Sequence, residues 1–346
     1  MYGIRTMPIL KGSLEVAVMI DQNELTKYQE NHQKYHATGS LYQNPDTQAE
    51  LPYGDKTVPP LEAGNTLIRK RLEEGKPFML GRFGETELRV MMYGLMNRFP
   101  VYNLWKQRKI LHEDCMNWCD GAGFFPRRVN LMPRFANVFV EACQSVDILA
   151  VWYNLYEDYV SDTFAGQAEI CRFQSLNSFF EYPLEHPWTE ALEGKKVLVI
   201  SPFAETIRKQ YQIREKLWRN PGVLPKFELQ TMKAVESPRI LGRSNGFKDW
   251  FEALEWLYQQ TLKKDYDVAI LGCGAYGFPL AAKIKESGHM AIQLCGQTQI
   301  WFGIKGKRWE EQCAEQMTQF ANEYWTRPDS TEIPKNSRYV ERGCYW

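Results

Sequence analysis

The stretch "YDVAILGCGAYGFPLAAKIKESGHMAIQLCG", residues 266–296, decides the fold class. It holds an apolar run, a glycine-rich turn, a helical pattern and a second apolar run, which is the order of a strand–helix–strand unit. Strands joined through a helix run parallel to each other. Similar apolar runs occur upstream at "PFMLG" (77–81), "VDILAVWY" (146–153) and "KVLVIS" (196–201), and helical patterns lie between the runs at 87–97, 203–218, 249–263 and 278–287. The sequence therefore predicts an α/β fold, a Rossmann-like, mostly parallel sheet with helices on both faces.

Two flanking segments surround this domain in the chain of 346 residues. We predict an irregular N-terminal extension over 1–60, a Rossmann-like catalytic domain over 61–326 and a C-terminal tail over 327–346 that wraps the surface. The extension is polar from about residue 21 and ends in Pro59-Pro60. Apolar and aromatic side chains in it are predicted to pack as a structural arm; they are Tyr28, Tyr35, Leu41, Tyr42 and Tyr53.

The composition argues against several classes of protein. Lys plus Arg number 42, as do Asp plus Glu, and a neutral balance argues against a dedicated nucleic-acid-binding protein. No run approaches the ~20 apolar residues of a transmembrane helix, so any membrane contact is predicted to be peripheral. The 8 Cys form no CxxC pair and no disulfide framework, which favours reduced thiols and a cytoplasmic location.

The stretch "GRFGETEL" (81–88) places two carboxylates in the turn that follows a predicted strand. Ligands of parallel sheets bind outside the carboxyl ends of the strands, so Glu85 and Glu87 stand where a site is expected. Hard carboxylate oxygens suit Mg²⁺ or Mn²⁺, and Arg82 and Gly84 would face the phosphates of the same ligand. The alternative is structural, because acidic side chains also stabilise the start of a helix, with Arg82 paired to one of them.

A glycine pattern follows the strand predicted at 266–272. Gly272, Gly274 and Gly277, with Tyr276 between the last two, satisfy GxGxxG. A dinucleotide site also needs an acidic residue about 20 positions on, and "QLCGQTQ" (293–299) supplies none. Two interpretations stay open: the glycines let the backbone approach a ligand, or they let the helix pack closely on the sheet.

Two further turns are candidates for ligand contact. Ser201 ends the strand "KVLVIS" and either caps the next helix or faces a ligand. The stretch "QIWFGIKGKRWEE" (299–311) alternates glycines with Lys305 and Arg308 and has aromatic neighbours. A basic, glycine-rich, aromatic loop suits a nucleoside diphosphate, and the alternative is a solvated basic turn.

The segment "FMLGRFGETEL" (78–88) resembles the strand and R-[FY]-G-D-G-E motif of the GT-D-fold glycosyltransferases, a bacterial family first described as a domain of unknown function. Arg82, Phe83, Gly84 and Glu87 match the motif, whereas Glu85 replaces Asp and Thr86 replaces Gly. The late segment over 267–296 is similar to that family in pattern, "FGIKGKRW" (302–309) looks like a subgroup signature, and the likeness spans about residues 61–310. It implies a GT-D-like fold and a divalent cation at the acidic pair that binds the diphosphate of a sugar nucleotide.

Residues and resemblance together predict a glycosyltransferase of the hexosyltransferase class in polysaccharide or glycoconjugate assembly. It would take a sugar from a nucleotide-sugar donor, with Mn²⁺ or Mg²⁺, and pass it to a glycan or lipid-linked acceptor. Asp158 and Glu205 are candidates for the general base, and Trp152, Tyr153 and Trp301 for stacking on sugar or base. Two alternatives stay open: another Rossmann-like nucleotide-cofactor enzyme, and a non-catalytic sugar-nucleotide-binding protein of a polysaccharide cluster.

Overall fold

A parallel sheet of seven strands forms the centre of the computed structural model, which describes residues 22–37, 41, 44–96 and 104–346. Two short strands pair outside it as a hairpin, β1 (Leu51–Tyr53) and β2 (Lys56–Val58). The sheet strands are β3 (Met79–Gly81), β4 (Ile148–Val151), β5 (Glu169–Arg172), β6 (Lys196–Ser201), β7 (Glu228–Lys233), β8 (Val268–Leu271) and β9 (Met290–Ile292). Their order across the sheet is β5-β4-β3-β9-β8-β6-β7, and every neighbouring pair is parallel. The predicted α/β class is confirmed.

Helices cover both faces of the sheet. They are α1 (Gln22–His36), α2 (Leu61–Glu74), α3 (Glu85–Met96), α4 (Leu104–Asp120), α5 (Met132–Cys143), α6 (Glu157–Phe164), α7 (Phe173–Leu176), α8 (Ala204–Tyr211), α9 (Pro238–Leu241), α10 (Trp250–Thr261), α11 (Gly277–Glu286), α12 (Gln297–Trp301), α13 (Lys307–Gln312) and α14 (Ala314–Phe320). Within the described ranges, each helix is too short or too polar to cross a membrane.

The sheet separates two apolar clusters because side chains alternate between its faces. Leu198 and Ile200 of β6 join the cluster that also holds α3, α5, α10 and α11, whereas Val197 and Val199 join the opposite cluster with α2, α7, α8 and α12. A strand that is buried on both faces reads as a continuous apolar run, which is why β6 occupies the residues predicted for it.

Strands β5 and β7 escape prediction from sequence. They are the two edge strands of the sheet, and neither is a continuous apolar run: β7 reads "ELQTMK" with charged ends, and β5 reads "EICR". An edge strand pairs on one side and is partly exposed, so its pattern is weaker than that of a central strand. The carboxyl end of β7 nevertheless borders the candidate site.

The described part of the N-terminal extension is more regular than predicted. Helix α1 and the β1–β2 hairpin pack beside α6, and Tyr28, Tyr35 and Tyr53 are buried, as expected of a structural arm. Tyr42 lies outside the described residues, whereas Leu41 packs partly buried against the core. The tail returns to the carboxyl edge of the sheet through short 3-10 turns at Ser330–Glu332, Ser337–Tyr339 and Glu341–Gly343.

Candidate functional site

A cleft opens at the carboxyl edge of the sheet, over the ends of β3, β9, β8, β6 and β7. Its cavity has a volume of about 150 Å³. Walls come from the residues that follow these strands, together with the loop at 121–123 and the last residues of the tail. This is the edge at which open parallel sheets bind ligands. Of the predicted site residues, Arg82, Ser201, Gly272, Gly274 and Tyr276 line this cleft.

Arg82 stands at the end of β3 and is held from several sides. Its backbone N–H donates to Gln293 Oε1 at 2.9 Å, and its Nε donates to Cys295 Sγ at 3.0 Å. The guanidinium also lies 4.9 Å from the ring centroid of Trp152, at a distance typical of a cation–π contact. Burial raises the pKa of the Cys295 thiol more than Arg82 lowers it, so the sulfur stays a neutral, weak acceptor. The guanidinium is therefore positioned without a strong anionic partner at Cys295.

The acidic pair beside Arg82 separates in the structure. Helix α3 begins at Glu85, so both residues lie in its first turn and project roughly 200° apart. Glu85 is 63% exposed and pairs with Arg89 at 3.1 Å. Glu87 is half-buried and folds back over Gly84, where a Cβ would lie 2.1 Å from Glu87 Oε2 and 3.0 Å from Arg82 Nη1.

This arrangement does not fit one cation held by both carboxylates. Among the described residues, no group of three His, Cys, Asp or Glu side chains is placed to hold a metal ion. Glu87 is outside the cleft lining but lies beside Arg82, which is part of it, so one carboxylate is left that could share a cation with a substrate phosphate. The glycine at 84 is required for this, because any side chain there would displace the Glu87 carboxylate.

The glycine-rich turn packs against the protein itself and also lines the cleft. A Cβ on Gly272 would lie 2.7 Å from Thr298 Oγ1 and 2.9 Å from the carbonyl oxygen of Cys295. Gly274 has a φ of +58°, and a Cβ there would lie 2.7 Å from the carbonyl oxygen of Ala122. Gly277 opens α11 and faces the side chain of Gln293, outside the cleft lining. Close internal packing thus accounts for all three glycines.

Two residues that line the cleft have a buried hydroxyl group without a partner. Tyr276 and Thr298 are each 1% exposed, and within the described structure neither hydroxyl makes a hydrogen bond. Burial raises the pKa of Tyr276 well above its ordinary range, so its hydroxyl remains a donor. An unsatisfied buried hydroxyl costs roughly 1–3 kcal/mol, which a ligand oxygen in the cleft would recover.

The basic turn at 305–308 lies beside the cleft and does not line it. Arg308 donates from Nη1 to the hydroxyl of Tyr345 at 2.9 Å, and Tyr345 itself is part of the wall. The backbone N–H of Lys305 bonds to Thr326, and its side chain is not in the lining. Trp301 is fully buried in the core, so it is a packing residue and the expected stacking role does not fit its position.

Neither predicted general base reaches the cleft lining. Asp158 is buried under α1, where it accepts hydrogen bonds from Asn31 and Tyr35, each at 3.1 Å. Glu205 is exposed on α8, and hydrogen bonding from Arg208 lowers its pKa, which weakens it as a base. Both carboxylates therefore have structural partners at these positions.

The first residue of α6, Glu157, carries a fully buried carboxylate, from which a pH dependence of stability follows. It accepts hydrogen bonds from the backbone N–H groups of Trp152 at 2.7 Å and Asn154 at 3.0 Å. Burial raises its pKa from 4.5 to about 7, although these N–H groups oppose the shift. Because the folded state then binds more protons than the unfolded state between pH 4.5 and 7, stability falls as pH rises through that window.

We expect this carboxylate to contribute about 2–3 kcal/mol of unfolding free energy at pH 4.5 that is lost by pH 8. Urea unfolding of the wild type and of Glu157→Gln at both pH values measures it, since the amide does not titrate. The fall in unfolding free energy from pH 4.5 to pH 8 should be smaller in Glu157→Gln than in the wild type by about 2–3 kcal/mol. Parallel pH dependences of the two proteins would contradict the prediction.

Among the lining residues that sequence reasoning missed are Thr298, Glu236, Tyr345 and Trp346. Glu236 follows β7, the edge strand that the apolar pattern did not indicate. Tyr345 and Trp346 are held by contacts remote in sequence, among them Gln299 Nε2 to the Tyr345 carbonyl at 2.7 Å and Trp346 Nε1 to the Glu332 carbonyl at 3.1 Å. The tail is predicted to wrap the surface, but its last residues form part of the cleft wall.

Glu332 anchors the tail to the start of α8. Its carboxylate accepts hydrogen bonds from the backbone N–H groups of Glu205 at 2.7 Å and Thr206 at 3.0 Å, and from the Thr206 hydroxyl. These are the donors that a helix N-terminus offers to an anion, so the tail satisfies them internally. The anion-binding groups left to a ligand lie at the other end of the cleft, around Arg82.

Two solved structures are similar to the chain. One, described as a selenomethionine-substituted structure of domain of unknown function 1792, is 12% identical with a TM-score of 0.34, over 72% of this chain and 86% of that one. The other carries the description "The highly conserved domain of unknown function 1792 has a distinct glycosyltransferase fold". It is 13% identical with a TM-score of 0.32, and the match covers 67% of this chain and 82% of that one. No protein-family model and no curated protein matches the sequence.

Proposed function

We propose that the protein is a glycosyltransferase that binds a nucleoside-diphosphate sugar in the cleft and transfers the sugar to a glycan or lipid-linked acceptor. The observation that carries the proposal is that Arg82, Tyr276 and Thr298 line the same cleft, and that the buried hydroxyls of Tyr276 and Thr298 have no partner in the described structure. These residues follow β3, β8 and β9, which are neighbours in the sheet. A cation beside neutral donors is the arrangement that a diphosphate requires.

Breaking the bond between sugar and diphosphate leaves negative charge on the departing phosphate. Arg82, Tyr276 and Thr298 would stabilise that charge, because their donors are positioned in advance in a partly desolvated cleft. A divalent cation held through Glu87, when bound, would supply further Lewis-acid stabilisation of the leaving group. The motif over residues 82–87 that resembles GT-D-fold glycosyltransferases contains both Arg82 and Glu87.

The test is a thermal-shift panel of UDP, GDP, CDP, ADP and dTDP and their common sugar conjugates, with and without Mn²⁺. We expect at least one diphosphate to raise the melting temperature by several degrees at about 100 times its Kd, which corresponds to about 2.7 kcal/mol of linked stability. Mn²⁺ should add to that shift in the wild type and add little in Glu87→Gln.

Different failures have different meanings. A variant Glu87→Gln that responds to diphosphate plus Mn²⁺ as the wild type does removes the cation from the proposal and leaves the anion site. A wild-type protein that no nucleotide or sugar nucleotide stabilises defeats the proposed function. A reduced or oxidised dinucleotide that copurifies, detected by its absorbance spectrum or mass, would instead favour a nucleotide-cofactor enzyme.

A further inference from the structure

We infer that Glu236 is the catalytic base that takes the proton from the acceptor hydroxyl, and that the β7 side of the cleft is the acceptor side. This inference rests on the proposed function. An inverting transfer needs a general base for the acceptor hydroxyl, and Asp158 and Glu205 are both outside the cleft lining. Glu236 is the residue with a side-chain carboxylate among those that line the cleft.

The cleft has charges of opposite sign on opposite walls. Of the residues that line it, Arg82 and Glu236 are the ones whose side chains carry a formal charge. Arg82 follows β3 and Glu236 follows β7, and β9, β8 and β6 lie between these strands. Four inter-strand spacings of ~4.8 Å put the two backbones roughly 19 Å apart. A ligand that lies along the cleft would therefore have its diphosphate at one end and a carboxylate at the other.

The surroundings of Glu236 suit a base. Its side chain is 8% exposed, and its Oε2 lies 3.4 Å from Lys233 Nζ. Burial raises its pKa, Lys233 opposes the shift, and the carboxylate of Glu332 adds to it. A carboxylate with a raised pKa holds a proton more strongly and accepts one more readily near neutral pH, which general-base catalysis requires. Hydrogen bonding from Arg208 lowers the pKa of Glu205, so Glu205 accepts a proton less readily than Glu236.

The neighbours of Glu236 suit an acceptor sugar. Ser237 precedes α9 and lines the cleft, and so does Trp346 of the tail, whose ring centroid lies 6.2 Å from that of Phe203, after the neighbouring strand β6. Aromatic rings that stack on the apolar face of a sugar, beside groups that hydrogen-bond its hydroxyls, form a common carbohydrate-binding arrangement. The acceptor hydroxyl would approach the donor sugar from this wall, opposite the departing phosphate.

The acceptor oxygen forms a bond to the anomeric carbon while the bond from that carbon to the phosphate oxygen breaks. The electron pair of the broken bond leaves on the nucleoside diphosphate at the Arg82 end. The acceptor proton passes to the Glu236 carboxylate and then to solvent, so the enzyme returns to its starting state.

The test compares wild type, Glu236→Gln and the control Glu228→Gln, whose residue is exposed at the opposite end of the same strand β7. Calorimetry measures binding of the nucleoside diphosphate selected by thermal shift, and release of that diphosphate from its sugar conjugate measures turnover, with water or added oligosaccharide as acceptor. We expect Glu236→Gln to bind the diphosphate at least as tightly as wild type and to lose about 100-fold or more in kcat. The rise of kcat with pH on the acidic limb should disappear, while Glu228→Gln behaves as wild type.

Each outcome decides a separate point. Wild-type kcat and an unchanged pH profile in a folded Glu236→Gln protein overturn the role of Glu236 and leave the glycosyltransferase proposal in place. A covalent glycosyl adduct on Glu236, detected by intact mass, also overturns it, since the carboxylate would then be a nucleophile. No diphosphate release from any donor by the wild type defeats the proposed function. Glu236→Asp keeps a carboxylate on a shorter side chain, so it should retain part of the activity that Glu236→Gln loses. An equally inactive Glu236→Asp counts against a base.

Discussion

Replacement of Arg82 by Ala should weaken binding of the nucleoside diphosphate by about 100-fold, which is about 2.7 kcal/mol. The guanidinium lines the cleft, and the contacts at its Nε and over Trp152 preset its orientation. Arginine binds phosphate through a planar fork of donors, whereas lysine presents a point charge, so Arg82→Lys should recover only part of the affinity. Calorimetric titration of wild type and both variants measures the losses.

The effect should be on binding and much less on folding. Arg82 donates from Nε to a thiol, which is a weak acceptor, and lies beside the half-buried Glu87 carboxylate, so we expect the unfolding free energy of Arg82→Ala to fall by about 1–2 kcal/mol. Arg71→Ala is the matched control, since Arg71 pairs with Glu169 on the surface and is outside the cleft lining. Wild-type affinity in a folded Arg82→Ala protein would show that the diphosphate lies elsewhere.

The central part of the fold can be predicted from sequence because its strands are buried on both faces. β3, β4, β6, β8 and β9 each fall within an apolar run that the sequence displays, and the turns after them locate Arg82, Ser201 and Gly272 at one edge. Edge strand β7 has no such run, so the sequence does not predict that strand. Glu236 follows β7 and is therefore not recognised as a site residue. The wall formed by Tyr345 and Trp346 depends on hydrogen bonds to residues 299 and 332, which no local pattern encodes.

The acidic pair illustrates how a small error in a helix boundary changes the chemistry. The apolar repeat predicts a helix from residue 87, which would leave Glu85 in the preceding turn and let both carboxylates point the same way. Helix α3 begins two residues earlier, at Glu85. Side chains two positions apart in a helix point in directions that differ by roughly 200°. Glu85 therefore faces Arg89, whereas Glu87 faces Arg82. One carboxylate, instead of two, is left to the site.

Replacement of Gly272 by Ala should both destabilise the protein and abolish nucleotide binding. The added methyl group would lie 2.9 Å from the Cys295 carbonyl oxygen and 2.9 Å from Thr298 Cβ, inside the contact between the ends of β8 and β9. The carbonyl oxygen is backbone and cannot rotate away, so the two strand ends must separate. Overpacking of this kind costs roughly 3 kcal/mol. It also moves Thr298 and Cys295, which line the cleft, and Cys295 accepts the hydrogen bond that orients Arg82.

The control for this variant is Gly166→Ala, because a Cβ at that exposed glycine meets only the Asp162 carbonyl oxygen, at an ordinary 3.4 Å. In urea unfolding, Gly272→Ala should show a clearly lower midpoint, and the unfolding free energy of Gly166→Ala should stay within about 1 kcal/mol of wild type. Binding is measured under conditions where Gly272→Ala is still folded. If that variant binds the diphosphate as wild type does, the close contact of the two strand ends is not what forms the anion site, and Arg82 must be held by other contacts.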